Sequence, residues 1–208
     1  KKKIRGLFLP EEGSVWGSFD YSQQEPRLAT HYAFNLGCDG AEDVVNIYNK
    51  DPNADFHDIV SKIANISRTN AKTINLGLLY GMGVKKLAEE LKFDKDLVKD
   101  FLAKFHKQIP FIKDLSNRVS QYANSTGYVA TLKGRKCRFE LWEPTSFGVF
   151  KALPFDQAKE KYGRHHALQR AGTYKALNRL IQGSAADQTK QAMVDLYNEG
   201  MVPLVQIH

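Results

Sequence analysis

Residues 68–81 read RTNAKTINLGLLYG, and within this stretch four side chains recur at intervals of four: Arg68, Lys72, Leu76 and Tyr80. Residues four apart drift by only ~40° around a helix axis, so the spacing predicts a narrow stripe of two cations, an apolar side chain and an aromatic ring. Two cations one turn apart repel each other, which favours an anionic ligand. A triphosphate would meet Arg68 and Lys72 first, and its base would lie toward Leu76 and Tyr80.

The opposite side of this helix has the character of a core face. Ala71, Ile74 and Leu78 are small or apolar and share that side, as expected for an amphipathic helix packed on a protein interior. The simpler interpretation of the cationic stripe is a solvated basic face on such a helix. Spacing alone leaves both interpretations open.

The composition is that of a globular protein with a basic surface. Of 208 residues, 42% are hydrophobic, which is enough for one good core or two modest ones. Thirty Lys and Arg against 23 Asp and Glu give a net charge of +7, which favours a polyanionic partner, with nucleic acid as the leading candidate. No apolar run approaches the ~20 residues of a membrane span, so we predict no membrane partner. Cys38 and Cys137 lack metal-ligand spacing and are interpreted as reduced thiols of a cytoplasmic protein.

Hydrophobic periodicity predicts a mostly helical α+β fold. Alternation over residues 14–20 predicts a strand that ends at Asp20, and a helix should follow because Ser22 and Glu25 have capping-box spacing. Helical periodicity then runs from about 41 to 125. Its predicted breaks lie near 51–52, 81–83, 93 and 109–110.

The sequence pattern in the last third of the chain predicts both strands and helices. Residues 128–139 indicate a two-stranded hairpin with Lys133 and Gly134 at its tip. Helices are expected over 156–199, broken or bent near Gly183, and residues 202–208 alternate as a second strand would. This order indicates a small antiparallel sheet made from both ends of the chain, with a helical block inserted into it.

Asp20 is the candidate metal ligand. A carboxylate at a strand end can hold a divalent cation against a substrate, and Mg²⁺ prefers hard oxygen ligands of this kind. The alternative is an aspartate that only caps the following turn. The spacing alone favours neither role.

Five ordered segments closely resemble motifs of the family A DNA polymerases, which include bacterial DNA polymerase I and its phage relatives. DYSQQEPR resembles motif A, and RTNAKTINLGLLYG resembles motif B. The other three segments resemble, in chain order, the hairpin after the fingers, the helix pair before motif C, and the motif C strand as far as its histidine. The five segments are residues 20–27, 68–81, 127–136, 178–193 and 202–208. The resemblance covers essentially the whole chain.

The resemblance implies a helical fingers subdomain inserted into a small antiparallel palm sheet. Its segments are partial palm over 1–35, fingers over 36–158 and partial palm over 159–208. We expect motif C to continue beyond His208 into Asp-Glu, which would supply a second metal carboxylate. The thumb, the remaining palm strands and any exonuclease domain would belong to a longer parent chain.

The function implied by the resemblance is template-directed DNA synthesis. A dNTP would transfer its nucleotidyl group to a primer 3′-hydroxyl by a two-metal mechanism with two Mg²⁺ ions. The partners would be primer-template DNA and deoxynucleoside triphosphates, in the cytoplasm or, for a phage protein, the host cytoplasm. Because Asp20 would be the only metal carboxylate in these 208 residues, we predict that they do not extend a primer alone.

The resemblance also implies roles for residues around the substrate. Asp20 and the Tyr21 carbonyl would bind the metal ions, and Lys72 could protonate the leaving group. The dNTP-binding residues would be Arg68, Lys72, Leu76, Tyr80, His57, Glu25 and, as a support, Gln23. Glu25 would exclude a 2′-hydroxyl beneath the incoming sugar, although its capping-box position beside Ser22 explains the spacing without a ligand.

A second set of residues is expected to contact DNA. Tyr174, Asn178 and Gln182 recur at intervals of four, and amide donors suit the acceptors that every base pair offers in the minor groove. Arg135 at the basic hairpin tip and His208 in motif C complete the set. A solvated polar helix face is the alternative interpretation of the first three.

Four positions depart from the family pattern, and two of them, Gln24 and Pro26, replace apolar residues. Leu76 stands where an aromatic ring is usual, so altered handling of 3′-deoxy analogues is expected, and Tyr174 replaces an expected arginine. The alternatives to a DNA polymerase are a non-catalytic nucleic-acid-binding module, for which basic charge is sufficient, and a single-subunit RNA polymerase relative. Glu25 and the QGSAAD string over 182–187 favour DNA synthesis.

Overall fold

The computed structural model describes residues 6–146 and 148–206, apart from the side chains of residues 63 and 64. His208 and the end of the predicted motif C strand lie outside the described residues. The described chain is mostly helical, with two small antiparallel sheets, which confirms the expected α+β class.

The helices divide the chain at the positions that Gly, Pro and polar residues indicated. All four breaks predicted between 41 and 125 are present. A fifth break, which was not predicted, lies at Asn65, where the residue adopts a left-handed conformation with φ 50°. The helices are α1 (Gln24–Asn35), α2 (Ala41–Lys50), α3 (Phe56–Ala64), α4 (Arg68–Leu79), α5 (Val84–Leu91), α6 (Lys95–Gln108), α7 (Phe111–Thr126), α8 (Phe155–Tyr162) and α9 (Ala176–Asn198).

The predicted capping box at Ser22 and Glu25 does not form. Gln23 is the N-cap residue of α1, in a left-handed conformation with φ 51°, and its side chain makes no capping hydrogen bond. The helix therefore begins one residue later than a Ser22 cap requires. Glu25 is left free to contact a different element.

The predicted hairpin is present, and a second strand pair follows it. β1 (Tyr128–Ala130) pairs antiparallel with β2 (Lys136–Arg138), and β3 (Trp142–Pro144) pairs antiparallel with β4 (Leu168–Arg170). The β3–β4 pair was not predicted. The helical stretch expected over 156–199 is divided between α8 and α9, and α9 continues through Gly183 without the predicted break.

The strands predicted over 14–20 and 202–208 are wrong for the part of the chain that the structure describes. Residues 14–20 and 201–206 have no assigned strand, and Val15 is 91% exposed. A strand needs a neighbour to pair its backbone groups. Neither segment has such a neighbour among the described residues.

One main hydrophobic core joins segments that are distant in sequence. It contains Leu28 of α1, Phe105 of α6 and Leu177 of α9. A smaller cluster lies between α4, α5 and α6, where Ile74 packs with residues of both neighbouring helices. The predicted core face of α4 is buried at Ala71 and Ile74 and half-buried at Leu78, so the opposite face of that helix points outward.

Both cysteines are free thiols, as predicted. Cys38 is buried, and burial together with the nearby Asp114 carboxylate raises the pKa of its thiol to about 11. Over the ranges that the structure describes, no helix is both long and apolar enough to cross a membrane.

The hairpin packs on α9 at Gly183. The Thr131 hydroxyl donates to the buried Asp187 carboxylate, and the Ser184 hydroxyl accepts from Leu132 N at 3.2 Å. Arg135 Nη2 donates to the Gly183 carbonyl at 2.9 Å. A Cβ at position 183 would lie only 2.7 Å from Thr131 Cγ2, so the hairpin approaches α9 this closely because residue 183 has no side chain.

Gly183→Ala is therefore expected to destabilise the fold by roughly 1–3 kcal/mol, because overpacking outweighs the better helix propensity of alanine. Chemical denaturation measures the change in the free energy of unfolding. Adding Thr131→Ser removes the opposing methyl group but keeps the hydroxyl that donates to Asp187, so the double variant should regain most of the loss. Equal destabilisation of the single and double variants would contradict this explanation.

Candidate functional site

The cationic stripe forms on the exposed face of α4. Arg68 and Lys72 are exposed, Leu76 is half-buried and Tyr80 follows the last turn of the helix as its C-cap. The Ser67 hydroxyl caps the N-terminus by accepting from Asn70 N. The positive end of the helix dipole thus lies beside Arg68 and Lys72. The dipole and the two cations all favour an anion at this end of the helix.

Arg68 is held against the first turn of α3 by two carboxylates. Its guanidinium pairs with Asp55 and lies 3.2 Å from Asp58 Oδ1. Burial alone would raise the pKa of Asp55, but the hydrogen bonds from Arg68 and from the backbone N–H groups of His57 and Asp58 outweigh it and lower that pKa. Asp55 therefore stays ionised, caps α3 and positions Arg68 near His57.

His57 is almost completely buried beside this ion pair. Its side chain is held in place by Asn75 of α4, whose Nδ2 lies 3.0 Å from His57 Nδ1. Burial lowers the pKa of His57, and the positive charges of Arg68 and Lys72 lower it further, against the opposing effect of Asp55. The imidazole is accordingly neutral near pH 7, with two cations close to it.

The other end of the stripe meets α1 and α9. The Tyr80 hydroxyl donates to Glu25 Oε2 at 2.7 Å, and the side chain of Gln182 also contacts that hydroxyl. Burial and the Glu25 carboxylate raise the pKa of Tyr80 to about 12. Two side chains singled out from separate sequence segments, Glu25 and Gln182, thus meet at the Tyr80 hydroxyl.

Gln23 connects the start of α1 to the start of α3. Its Nε2 donates to the Ala54 carbonyl at 2.9 Å, and its Oε1 accepts from Phe56 N at 2.7 Å. The side-chain amide is therefore engaged with the backbone immediately before His57. This geometry fits a supporting role for Gln23.

The candidate metal ligands are exposed. Asp20 and Tyr21 lie in the irregular segment before α1, and their carboxylate and carbonyl oxygens are donors of the type that Mg²⁺ prefers. Within residues 6–146 and 148–206, no group of three or more His, Cys, Asp or Glu side chains could hold a metal ion. The donor chemistry is suitable, but these residues by themselves do not complete a metal site.

The candidate DNA-contacting residues lie at the start of α9 and beside it. Tyr174 sits in a 3₁₀ turn (Thr173–Lys175) and is 61% exposed, Asn178 is half-buried and Gln182 is exposed. Arg135 is partly occupied, because its guanidinium pairs with Asp187 at 2.8 Å while half of the side chain remains exposed. The turn at Tyr174 abuts the end of α4, since its carbonyl would lie 3.2 Å from a Cβ at Gly81.

Three site residues were missed by the sequence analysis. Asp55 precedes a helix start in the pattern of an N-cap, which could have indicated its capping role. Asn75 is a polar residue within an apolar run on the buried side of α4, and Asp187 is an acid on the buried side of α9. Sequence gave no indication of their partners, because those lie 13 to 56 residues away.

Comparison with known proteins shows that the chain is similar to one family. The family model described as DNA polymerase family A matches residues 1–208. A DNA-directed DNA polymerase of Pseudomonas phage M6 is 36% identical over 98% of the chain, which corresponds to 33% of that relative. The thermostable DNA polymerase I of Thermus aquaticus is 27% identical over 100% of the chain and 23% of its own length.

A solved structure of a polymerase domain is also similar to this chain. It is the POL domain of Pol1 from M. smegmatis in complex with DNA primer-template and dNTP, and it matches 87% of the chain with a TM-score of 0.62 and 26% identity. The match covers 30% of that structure's chain. The chain thus spans a third or less of the length of these relatives.

Proposed function

Because the chain belongs to DNA polymerase family A, we propose that it forms the nucleotide-binding part of a DNA polymerase that adds deoxynucleotides to a primer on a DNA template. The observation that carries this proposal is the convergence of α1, α3, α4 and α9 on one stripe. Cations and a neutral histidine lie at one end of that stripe, and a Tyr80–Glu25 hydrogen bond lies at the other. In this proposal, residues 1–35 and 159–208 belong to the palm and residues 36–158 to the fingers.

The cationic end would bind the triphosphate. Lys72 Nζ is exposed and donates hydrogen bonds to phosphate oxygens, while Arg68 offers a planar fork that is already oriented by Asp55. The ammonium of Lys72 can also give a proton to the oxygen of the departing pyrophosphate, which removes the charge that develops there. His57 supplies a third donor without adding a full charge.

The tyrosine end would bind the sugar and base. Glu25 would lie beneath the deoxyribose, fixed by the Tyr80 hydroxyl, and the half-buried Leu76 would exclude water from the base without stacking on it. Gln182 and Asn178 would donate to minor-groove acceptors of the adjoining base pairs. Tyr174, Arg135 and His208 are further proposed contacts to the DNA.

Asp20 and the Tyr21 carbonyl are proposed to bind Mg²⁺ in a two-metal mechanism. The metal ions would supply activation of the primer hydroxyl and charge neutralisation at the phosphates. Since the described residues form no group of three or more side chains that could hold a metal ion, the purified chain should bind dNTP but should not extend a primer. Robust magnesium-dependent extension by the 208 residues would overturn that expectation.

The proposal is tested by titrating the chain with dNTP in the presence and absence of primer-template DNA. A polymerase site should bind dNTP saturably and should hold primer-template more tightly once the correct dNTP is present. A non-catalytic binding module should bind DNA with strong salt dependence and should be indifferent to added nucleotide. Indifference to nucleotide would refute the proposed function.

Removing the Glu25 carboxylate should relax sugar selectivity. Glu25→Ala is expected to reduce the preference for dNTP over the corresponding ribonucleotide by roughly 10-fold, because space opens for a 2′-hydroxyl beneath the sugar. Competition binding of the two nucleotides measures the ratio. Glu89→Ala removes an exposed carboxylate from α5 and serves as the control for the change in charge. An unchanged ratio in Glu25→Ala would argue against a sugar-selecting role.

A further inference from the structure

The contact between His57 and Asn75 has a consequence for phosphate binding. Asn75 is fully buried on α4, and its Nδ2 faces His57 Nδ1 at 3.0 Å. A neutral imidazole carries one N–H group, so a ring that accepts at Nδ1 carries its proton on Nε2. Within the part of the chain that the structure describes, Nε2 makes no hydrogen bond.

The orientation of the ring matters because a phosphate oxygen can only accept a hydrogen bond. With the proton on Nε2, His57 offers an N–H donor close to Arg68 and Lys72. A ring protonated on Nδ1 would present the Nε2 lone pair to the same anion and repel it, and a ring turned over would present a carbon in place of Nε2 and lose the donor. The anion site therefore depends on what fixes the ring.

Asn75 is a less stabilising residue at this buried position than an apolar side chain would be. Its Oδ1 is buried and has no hydrogen-bond partner among the described residues, which costs free energy that an apolar side chain of similar size would avoid. Other fully buried residues of α4, such as Ile74 and Leu79, are apolar. Among the described residues, the side chain of Asn75 has a hydrogen-bond partner only at its amide nitrogen, and that partner is His57.

We propose that Asn75 is a positioning residue that holds His57 with Nε2–H directed at a triphosphate oxygen. This inference rests on the proposed function, since it deepens the account of the same site. The charged groups that face the ring are Asp55 and Asp58 from α3 and Arg68 and Lys72 from α4. None of them provides the Nδ1 hydrogen bond that Asn75 makes.

The tautomer can be measured without any nucleotide. In the wild-type chain, ¹⁵N chemical shifts of the His57 ring should show a protonated Nε2 and an unprotonated Nδ1 at neutral pH. Asn75→Asp places a carboxylate at Nδ1, so Nδ1 should become protonated and the pKa of His57 should rise above that of the wild type. An unprotonated Nδ1 in Asn75→Asp, or a protonated Nδ1 in the wild type, would overturn the proposal.

Binding of dATP across pH gives the second readout. Wild-type affinity should show no step from His57 between about pH 7 and 8.5, because the ring is already neutral. Asn75→Asp should bind dATP well while His57 is an imidazolium and lose roughly 10-fold affinity as rising pH removes its proton, because the neutral ring then keeps its hydrogen on Nδ1. If Asn75 had a purely structural role, Asn75→Asp would instead lower affinity equally at every pH.

Matched variants separate this inference from the proposed function. Asn75→Leu should weaken dATP binding several-fold at all pH values and remain folded, whereas Asn70→Ala on the same helix should change neither the ring nor the affinity. If dATP binding depends on Lys72 but neither Asn75 variant alters it, only the positioning role fails. If the wild type does not bind dATP at all, the proposed function fails while the ¹⁵N measurement still decides the tautomer.

Discussion

Replacing Lys72 with alanine is expected to weaken dNTP binding by roughly 100-fold, the largest loss of affinity for any single change on the stripe. The Lys72 ammonium is exposed on the same face as Arg68, so it is available to the phosphates. Arg68 is already paired with Asp55 and Asp58, and a triphosphate must share or replace those contacts. Removing Arg68 should therefore cost less affinity than removing Lys72.

Isothermal titration with dATP at fixed ionic strength measures this loss. Lys86→Ala is the matched control, because it removes the same charge from an exposed position on α5 that is not part of the stripe. Low salt alone could produce nonspecific binding to any basic surface, and then both variants would lose affinity equally. An equal loss in the two variants would contradict a phosphate-binding role for Lys72.

Asp187→Asn is expected to destabilise the fold by roughly 2–4 kcal/mol. The carboxylate is buried where the hairpin meets α9, and it accepts from the Thr131 hydroxyl and from Arg135 Nε at 3.0 Å. An amide of the same shape cannot accept at both positions, and it leaves the Arg135 charge without its partner. Asp195→Asn, an exposed change on the same helix, should cost less than ~0.5 kcal/mol.

The pH dependence identifies the charge as the cause. Burial alone would raise the pKa of Asp187, but the hydrogen bonds from Thr131 and Arg135 outweigh it and lower that pKa below its ordinary value. A lowered pKa in the folded state contributes stability that is present above about pH 4 and is lost as pH falls through the folded value. The difference in unfolding free energy between wild type and Asp187→Asn should therefore shrink below about pH 4. A difference that stays constant with pH would indicate a packing effect instead.

Local patterns in the sequence were sufficient for most of the helical architecture. The breaks after α2 and α4 and the turn at Gly134 follow from the conformational preferences of a few residues, and the structure confirms them. The exposed stripe and the buried face of α4 follow from a period of 3.6 residues. Such features depend on neighbours within one or two turns, which a single sequence displays directly.

The predictions that were wrong concern features that depend on partners distant in the sequence. Residues 14–20 alternate as a strand does, but alternation cannot provide the neighbouring strand that its backbone needs. The spacing of Ser22 and Glu25 fits a capping box, yet Glu25 contacts Tyr80, 55 residues away. The β3–β4 pair depends on contacts such as Arg170 over the ring of Trp142 at 4.6 Å, which periodicity does not reveal.

Photo-crosslinking with a dATP analogue that carries an azide on its base would test most directly whether α1, α4 and α9 form one nucleotide site. The base is expected near Leu76 and Tyr80, so mass spectrometry should locate the adduct between residues 76 and 82 or on the first turn of α1, and unmodified dATP should compete it away. Lys72→Ala should abolish that adduct at the same concentration. Competable adducts that lie elsewhere, such as on α8, and that persist in Lys72→Ala would contradict the account.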